Sequence, residues 1–555
     1  MVASCGVLSG LAFSMRPSGH ADTFARQHLP PVDQWPELIF ELPELRYPDR
    51  FNCAAEFVDA HVTRGQGGRT ALLGASECVS YAELQTRANR IARLLSDELG
   101  LATGSRVLLR SGNNPALAAC WLGVIKAGCI AVTTMPLLRE REISAIVRKA
   151  NVAVALCDHA LADEMEQTRR ACTELLHVLY FNAPNGDPQG LDQRATAHAP
   201  TFTNADTAAD DVALIAFTSG TTGVPKGTMH FHRDVLAICD VLSRQVIAPG
   251  PDDVFIGTPP LAFTFGLGGL LLFPLRAGAA AVLVEHWTPD TLLDGIARYR
   301  ASICFTAPTF YRRMAALVPG HDRGGLRICV SSGEMLPADT RGAWREATGI
   351  EMTECLGSTE LLHAFIACKP GDVRPGATGR VVPGYRACVL DESGAPLPPG
   401  RIGRLAVKGP TGCRYLDDAR QKSYVQNGWN LTGDAYLVDE DGFYWYQSRT
   451  DDMIISAGYN IAGPEVEDVL LTHPAVAECG VVGVADASRG QIVKAYVVLR
   501  PGFPADDATA RILQDLVKSS IAPYKYPRAV QFCAALPRTE NGKVQRYKLR
   551  CGELA

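Results

Sequence analysis

Short apolar runs alternate with amphipathic stretches along most of the chain. At Ser80 the pattern turns helical. Ser80 and Glu83 have capping-box spacing, and Leu84, Ala88, Ile91 and Leu95 then fall on one helical face. Residues Arg106–Leu109, Val212–Phe217, Ala281–Val284, Ser302–Thr306 and Arg327–Val330 predict strands. Several run straight into polar or glycine-rich segments, namely Thr218–Gly227, Ala307–Thr309 and Ser331–Glu334. Strands alternating with helices predict an α/β fold. In open α/β sheets ligands sit beyond the carboxyl ends of the strands. Repeated strand-then-motif punctuation therefore predicts one nucleotide site built from distant segments.

The length of 555 residues exceeds what a single core supports, so two or more domains are expected. The stretch Ala183–Asp211, rich in Pro, Gly, Asn, Asp, Thr and Ala, reads as an exposed connector. A second break falls at Arg449-Thr450-Asp451-Asp452. The expected organisation is a disordered tail over residues 1–20, a large N-terminal domain over 21–450 and a small C-terminal domain over 451–555. The most apolar window, Leu267–Val284, contains Pro274 and Arg276 and three glycines, and reads as a buried helix followed by a strand rather than a membrane span. A net charge of −5 without a basic run argues against a nucleic-acid partner. Seventeen cysteines, an odd number with no C-x-x-C pair, suggest neither a disulfide framework nor a zinc site, and fit a reducing cytoplasm. Met1–Ser14 lacks the basic start and cleavage site of a signal peptide, so a disordered tail or a start nearer Met15 is expected there.

The segment with most chemistry is Thr218-Ser219-Gly220-Thr221-Thr222-Gly223-Val224-Pro225-Lys226-Gly227. Its glycines allow close backbone approach, and its four hydroxyls and one lysine add donors and positive charge, which suits a polyphosphate. A Walker loop needs lysine directly after glycine, and here Lys226 follows Pro225, so that reading fails. The order of residues instead resembles the phosphate loop of the adenylate-forming superfamily, which includes acyl- and aryl-CoA ligases, luciferases and peptide-synthetase adenylation domains. The resemblance extends through five more segments in the same order, up to Lys543, and covers most of the chain.

That resemblance implies a large N-terminal domain of mixed sheets and packed helices and a small mobile C-terminal α+β domain. It also implies roles residue by residue. Thr218, Ser219, Gly220, Thr221, Thr222, Gly223 and Lys226 would bind the phosphates. In Gly357-Ser358-Thr359-Glu360, Thr359 would contact the α-phosphate and Glu360 would hold Mg²⁺. Gly333 and Glu334, in Ser331-Ser332-Gly333-Glu334, would pass over the adenine. Asp434 would accept the ribose hydroxyls, with Arg449 as second contact. Asp451 would be the hinge, Gly458 and Tyr459 would line the CoA tunnel, and Lys543 would be the catalytic lysine. ATP, Mg²⁺ and CoA are the implied cofactors and co-substrates.

The acid is read from the pocket. The stretch Pro259–Gly268 has no acidic residue to bind an α-ammonium, and no carrier-protein segment follows Lys543, so an amino acid substrate is disfavoured. Ala262, Phe263, Phe265 and Gly266 offer flat apolar surface for an aromatic ring. Gly357–Phe365 resembles the segment of benzoate-type CoA ligases in which a histidine, here His363, lies near the substrate carboxylate. Asp22–Pro31 and Lys226–His232 resemble 2-aminobenzoate (anthranilate)–CoA ligases. The expected reaction is ATP-dependent formation of 2-aminobenzoyl-AMP and transfer to CoA. Benzoate or hydroxybenzoate, and an acceptor other than CoA, are the alternatives. The expected partners are a small aromatic carboxylate and no membrane, with a homodimer as assembly.

Overall fold

The apolar runs become strands whose ends differ by a residue or two from those expected. The structure is a computed structural model that describes residues 15–184, 187–218, 225–333, 335–449, 452, 454–456, 459–461, 463–486, 490–521, 525–538 and 544–553, with the backbone alone of Ile455, Tyr459, Asn460 and Gly490. It divides into two compact units. The first is Met1–Val373 with Val381–Arg386 and Lys408–Asn430; the second is Arg374–Arg380 with Ala387–Val407 and Leu431–Ala555. The break expected at residues 449–452 falls inside the second unit, and Thr450 and Asp451 lie outside the described residues.

The first unit holds two sheets. One runs in the order β6 (His177–Phe181), β5 (Val154–Asp158), β3 (Arg106–Arg110), β4 (Ile130–Thr134), β7 (Val212–Thr218) and β8 (Lys226–Phe231). It is parallel except for the β7–β8 hairpin. The other runs in the order β15 (Arg380–Val381), β14 (Ala364–Ala367), β13 (Thr353–Gly357), β12 (Ile328–Ser331), β11 (Ile303–Thr306), β9 (Val254–Gly257), β10 (Ala280–Val282), β1 (Thr70–Leu73) and β2 (Cys78–Ser80). Every residue of β3, β5, β10, β11 and β12 is buried, as expected of strands covered on both faces. The helix Tyr81–Arg93 carries the expected capping box at Ser80. The window Leu267–Val284 is a buried helical stretch with a π-helical turn at Gly268–Leu272, followed by β10. No helix among the described residues is long and apolar enough to cross a membrane.

Two sequence expectations are corrected here. Residues 15–20 are anchored rather than disordered: the Arg16 N–H donates to Asp210 at 3.0 Å, the Gly19 N–H donates to Asp211 at 2.8 Å, and His20 is buried. The end of the supposed connector supplies those anchors, with Thr207, Ala208, Asp210 and Asp211 all buried. Its polar composition misled because the two aspartates satisfy backbone N–H groups inside the fold.

The first unit also holds the short strand β18 (Val425–Gln426). In the second unit, β16 (Arg386–Leu390), β17 (Gly403–Lys408) and β19 (Trp429–Val438) form a sheet, and β20 (Tyr444–Arg449) pairs with β19. A further sheet orders β22 (Tyr459–Ile461), β21 (Ile454–Ser456), β24 (Gly490–Leu499) and β23 (Val476–Asp486), with β25 (Ala529–Phe532) parallel to β24. The helices Gly463–Leu471 and Asp507–Ser520 contribute Val466, Leu470, Leu513 and Val517 to its core.

Strand β8 buries two histidines with the helix that follows it. The His230 Nε2–H donates to the Thr359 carbonyl at 2.8 Å, and His232 Nδ1 accepts the Cys53 N–H at 3.2 Å. Burial pushes each imidazole down to about 3, so both are neutral. An unfolded histidine takes a proton near pH 6.5, which these refuse. Stability is therefore full above pH 6.5 and falls as pH drops toward 3, by up to about 1.4 kcal/mol per pH unit for each histidine. Urea unfolding of His230→Gln between pH 7 and 5 is expected to show a shallower pH dependence than the parent, by up to that amount; an identical slope would rule out the buried neutral imidazole.

Candidate active site

The phosphate-loop segment joins two antiparallel strands. Thr218 ends β7 and Lys226 begins β8, and the two are paired across the hairpin. Ser219, Gly220, Thr221, Thr222 and Gly223 lie outside the described residues. Lys226 is placed against Glu360, its Nζ 3.4 Å from Oε1, and it donates to the Tyr415 hydroxyl at 3.1 Å. Tyr415 in turn donates to Glu360 Oε1 at 2.5 Å.

Glu360 sits on a 3₁₀ turn, Thr359–Leu361, that follows β13. Ser358 caps the turn by accepting the Leu361 N–H at 3.3 Å. The chain then reverses through Leu362, whose φ of +67 is sterically disfavoured for a side-chain-bearing residue. Such strain is sustained only where the surroundings over-determine it. The Thr359 carbonyl is held by His230 and the Leu361 carbonyl by the Thr411 hydroxyl at 2.7 Å. Glu360 is buried, and its second oxygen makes no hydrogen bond among the described residues. A carboxylate oxygen left without a hydrogen bond among the described residues is a hard donor, and it fits Mg²⁺.

Beyond Leu362, His363 enters an aromatic box. Its ring lies 5.8 Å from that of Phe265 and 4.7 Å from that of Phe273, and Phe305 closes the far side at 5.5 Å from Phe265. The box depends on missing side chains. A Cβ on Gly268 would stand 2.3 Å from His363 Cδ2, one on Gly269 would stand 2.5 Å from Phe305, and one on Gly266 would stand 2.1 Å from the Pro260 carbonyl. Neither His363 nitrogen meets a hydrogen-bond partner of good geometry among the described residues. Burial pushes the ring down to about 4, with the Phe265 backbone opposing slightly. Among the expected pocket residues, Phe265, Gly266 and His363 come together. Phe263 stands one residue before the short helix Thr264–Leu267, and no ring contact joins it to His363 among the described residues. Ala262 lies in the preceding turn, which Asn113 clamps by donating to the Pro259 carbonyl at 2.9 Å and accepting the Leu261 N–H at 2.8 Å.

Gly333 follows β12 with φ +90, and a Cβ there would touch nothing, so backbone conformation rather than space requires glycine. Glu334 lies outside the described residues. In the second unit Asp434 and Arg449 face each other across β19 and β20. Arg449 donates to Asp434 Oδ1 at 2.9 Å and to the Thr432 carbonyl at 3.0 Å. Two residues 15 apart in sequence thus form one pair with a partly exposed guanidinium. Asp451, Gly458 and Lys543 lie outside the described residues, and Tyr459 is described only as backbone in β22.

Motif reading passed over Tyr415, Asn113, Phe273 and Phe305. Phe273 falls within the apolar window taken as a buried helix, and Phe305 within a predicted strand, so both looked like core. Tyr415 carries no local signal, because its partners are distant in sequence.

Comparisons with known proteins agree with this geometry. The AMP-binding enzyme family matches residues 59–415, and the AMP-binding enzyme C-terminal domain matches residues 465–543. The benzoate–CoA ligase of Thauera aromatica is 34% identical over 514 residues, covering 92% of this chain and 97% of its own. The crystal structure of the anthranilate CoA ligase AuaEII in complex with anthranoyl-AMP superposes with a TM-score of 0.85 at 31% identity, covering 92% of this chain and 99% of that one. A benzoate CoA ligase from Burkholderia xenovorans LB400 gives 0.81 at 32% identity, with 90% and 100% covered. With the hairpin lysine, the capped Thr-Glu turn and the aspartate–arginine pair in place, the chain belongs to the AMP-binding family of adenylate-forming enzymes, on the branch that includes the aryl-CoA ligases.

Proposed function

We propose that this chain is an AMP-forming aryl-CoA ligase whose acid is 2-aminobenzoate. The observation that carries the reading is His363, a neutral imidazole without a good hydrogen-bond partner among the described residues, walled by Phe265, Phe273 and Phe305. Aromatic walls suit a flat ring. A neutral imidazole offers one donor and one acceptor, and an ortho-aminobenzoate has complementary groups for both.

A carboxylate resists nucleophiles because of its own charge, so it is activated first. The carboxylate oxygen attacks the α-phosphorus of ATP, and the bond to pyrophosphate breaks. Lys226 holds the departing phosphates, Thr359 holds the α-phosphate and Lys543 neutralises charge on the five-coordinate phosphorus. Mg²⁺ held by Glu360 would supply further positive charge to the phosphate oxygens. Gly333 and Glu334 line the adenine, and Asp434 with Arg449 takes the ribose. In the second half-reaction the CoA sulfur attacks the acyl carbon, AMP leaves and the thiol proton passes to solvent. Asp451 serves as the hinge about which the C-terminal segment turns, so that Lys543 serves the first step and Gly458 and Tyr459 the second. No enzyme thiol takes part. Among the described cysteines only Cys78 and Cys551 are exposed, and burial raises the thiols of others such as Cys53 and Cys304.

Pyrophosphate release measured across 2-aminobenzoate, benzoate and the hydroxybenzoates, with and without CoA, tests the acid and the acceptor together. One hydrogen bond to the ortho group predicts kcat/KM for 2-aminobenzoate roughly tenfold above benzoate, with AMP release that needs CoA. Equal values would return the acid to benzoate, and CoA-independent AMP release would point to another acceptor. Lys543→Ala is expected to abolish aryl-AMP formation while thioester synthesis from preformed aryl-AMP continues; equal loss in both steps would remove its catalytic role. Gly268→Ala drives a methyl into the His363 ring, so KM for the acid should rise roughly tenfold with KM for ATP unchanged. An unchanged KM for the acid would place the ring binding elsewhere.

A further inference from the structure

We propose that Tyr415 is a positioning residue that holds Glu360 ready for a divalent cation while Lys226 leaves it for the polyphosphate of ATP. The inference rests on the reading of Glu360 as the metal carboxylate, and it adds to that reading a residue outside every motif recognised in the sequence.

The geometry is a triangle. Glu360 Oε1 accepts from Tyr415 at 2.5 Å and lies 3.4 Å from Lys226 Nζ, and Lys226 donates to the Tyr415 oxygen at 3.1 Å. The two partners of Glu360 differ in what they can do next. Lys226 is a flexible four-carbon chain on the first residue of β8, with 23% of its side chain exposed, and its charge is needed on phosphate. Tyr415 is 1% exposed and fixed on all sides. Its N–H donates to Gln421 Oε1 at 2.9 Å, and its ring packs edge-on against Tyr424 at 5.8 Å. The backbone on either side is bonded to β8, through the Met229 N–H to the Arg414 carbonyl and the Leu416 N–H to the Gly227 carbonyl, each at 2.8 Å.

Chemistry separates the two in the same way. A cation at Glu360 and the ammonium of Lys226 compete for one negative charge, so the lysine is a partner that metal binding displaces. A phenol donates without contributing charge. It fixes the carboxylate on Oε1 and leaves Oε2, which has no hydrogen bond among the described residues, as the oxygen for the metal. Partners that orient a metal ligand typically change metal affinity about 10–100-fold when removed.

The test is a calorimetric titration of the full chain with α,β-methylene-ATP, a non-reacting analogue, at a series of Mg²⁺ concentrations. Tyr415→Phe is expected to raise the Mg²⁺ concentration needed for half-maximal analogue binding about tenfold or more, with metal-free binding within about twofold of the parent. KM for the aryl acid should not move. An unchanged Mg²⁺ midpoint overturns the proposal, and so does equal loss with and without Mg²⁺, which is the signature of a merely structural role. Lys226→Met gives an independent reading should Tyr415→Phe not fold. It should weaken analogue binding but leave the Mg²⁺ midpoint within about twofold, and a tenfold rise would make the lysine, not the tyrosine, the positioning group. Glu360→Gln separates the two levels. If it shifts the midpoint and Tyr415→Phe does not, the positioning role alone fails; if it leaves the midpoint unchanged, the metal reading of Glu360 fails and the positioning role goes with it.

Discussion

The buried ion pair between Arg414 and Asp234 fixes the register on which the site depends. Both side chains are fully buried, so their desolvation has to be offset by close partners. Asp234 also accepts the Phe231 N–H at 3.0 Å, and the Arg414 guanidinium lies over the Phe231 ring at 4.0 Å. Burial still pushes the Asp234 carboxyl upward against the pull of Arg414 and Arg233. Removing one partner of such a pair typically costs about 3–5 kcal/mol, because it strands the other charge. In extended chain, neighbouring side chains point to opposite faces. Arg414 turned toward Asp234 therefore sends Tyr415 the other way, to Glu360 and Lys226. A shift of one residue would exchange them, putting a phenol in the salt-bridge slot and a second cation beside the lysine.

The same strand, β8, does three jobs through alternate residues. Lys226 begins it beside Glu360, Gly227 and Met229 hold the Arg414–Leu416 backbone, and His230 holds the Thr359 carbonyl. A Cβ on Gly227 would stand 2.9 Å from the Phe217 ring, so its absence lets β7 pack closely against β8 next to the loop that joins them. Both ends of the Thr-Glu turn are thereby tied to groups that cannot ionise in the working range. That explains how a turn with a strained Leu362 can be kept in one conformation by neutral partners.

Reading the sequence recovered what is local. The capping box at Ser80, the strands beneath the motifs and the Ser358-capped turn are each specified within a few residues, where propensity and hydrogen-bond geometry act directly. The Asp434–Arg449 pair was legible through motif register, and the hairpin then brings together residues that the sequence only placed in order. What escaped depends on contacts across long separations. Tyr415 lies 55 residues from Glu360 and 189 from Lys226, and nothing adjacent to it announces either partner. Asp210 and Asp211 looked like loop residues because buried acids that serve backbone donors have the same composition as exposed ones. Phe263 and Phe265 read alike in the sequence, and the ring contact that Phe265 alone of the two makes with His363 among the described residues depends on a segment 98 residues away in the chain, which periodicity over so few residues does not announce.

The aromatic box around His363 shows how close packing can rest on absent atoms. Gly266, Gly268 and Gly269 lie where the chain passes from a short helix into a π-helical turn, a conformation frequent at functional sites. Each glycine faces a different neighbour, respectively the Pro260 carbonyl, the His363 ring and the Phe305 ring. A methyl at any of the three would displace a separate neighbour, so the packing here cannot be changed smoothly by substitution on this turn. At Gly266 the neighbour is backbone, which side-chain motion cannot relax; at Gly268 and Gly269 it is a buried ring packed against other rings. His363 is then a polar ring set among the aromatic rings of Phe265 and Phe273. Its neutrality follows from the same close packing that excludes water from it. The close packing of this turn and the neutral, water-excluded ring of His363 are thus a single consequence of putting glycine at these positions.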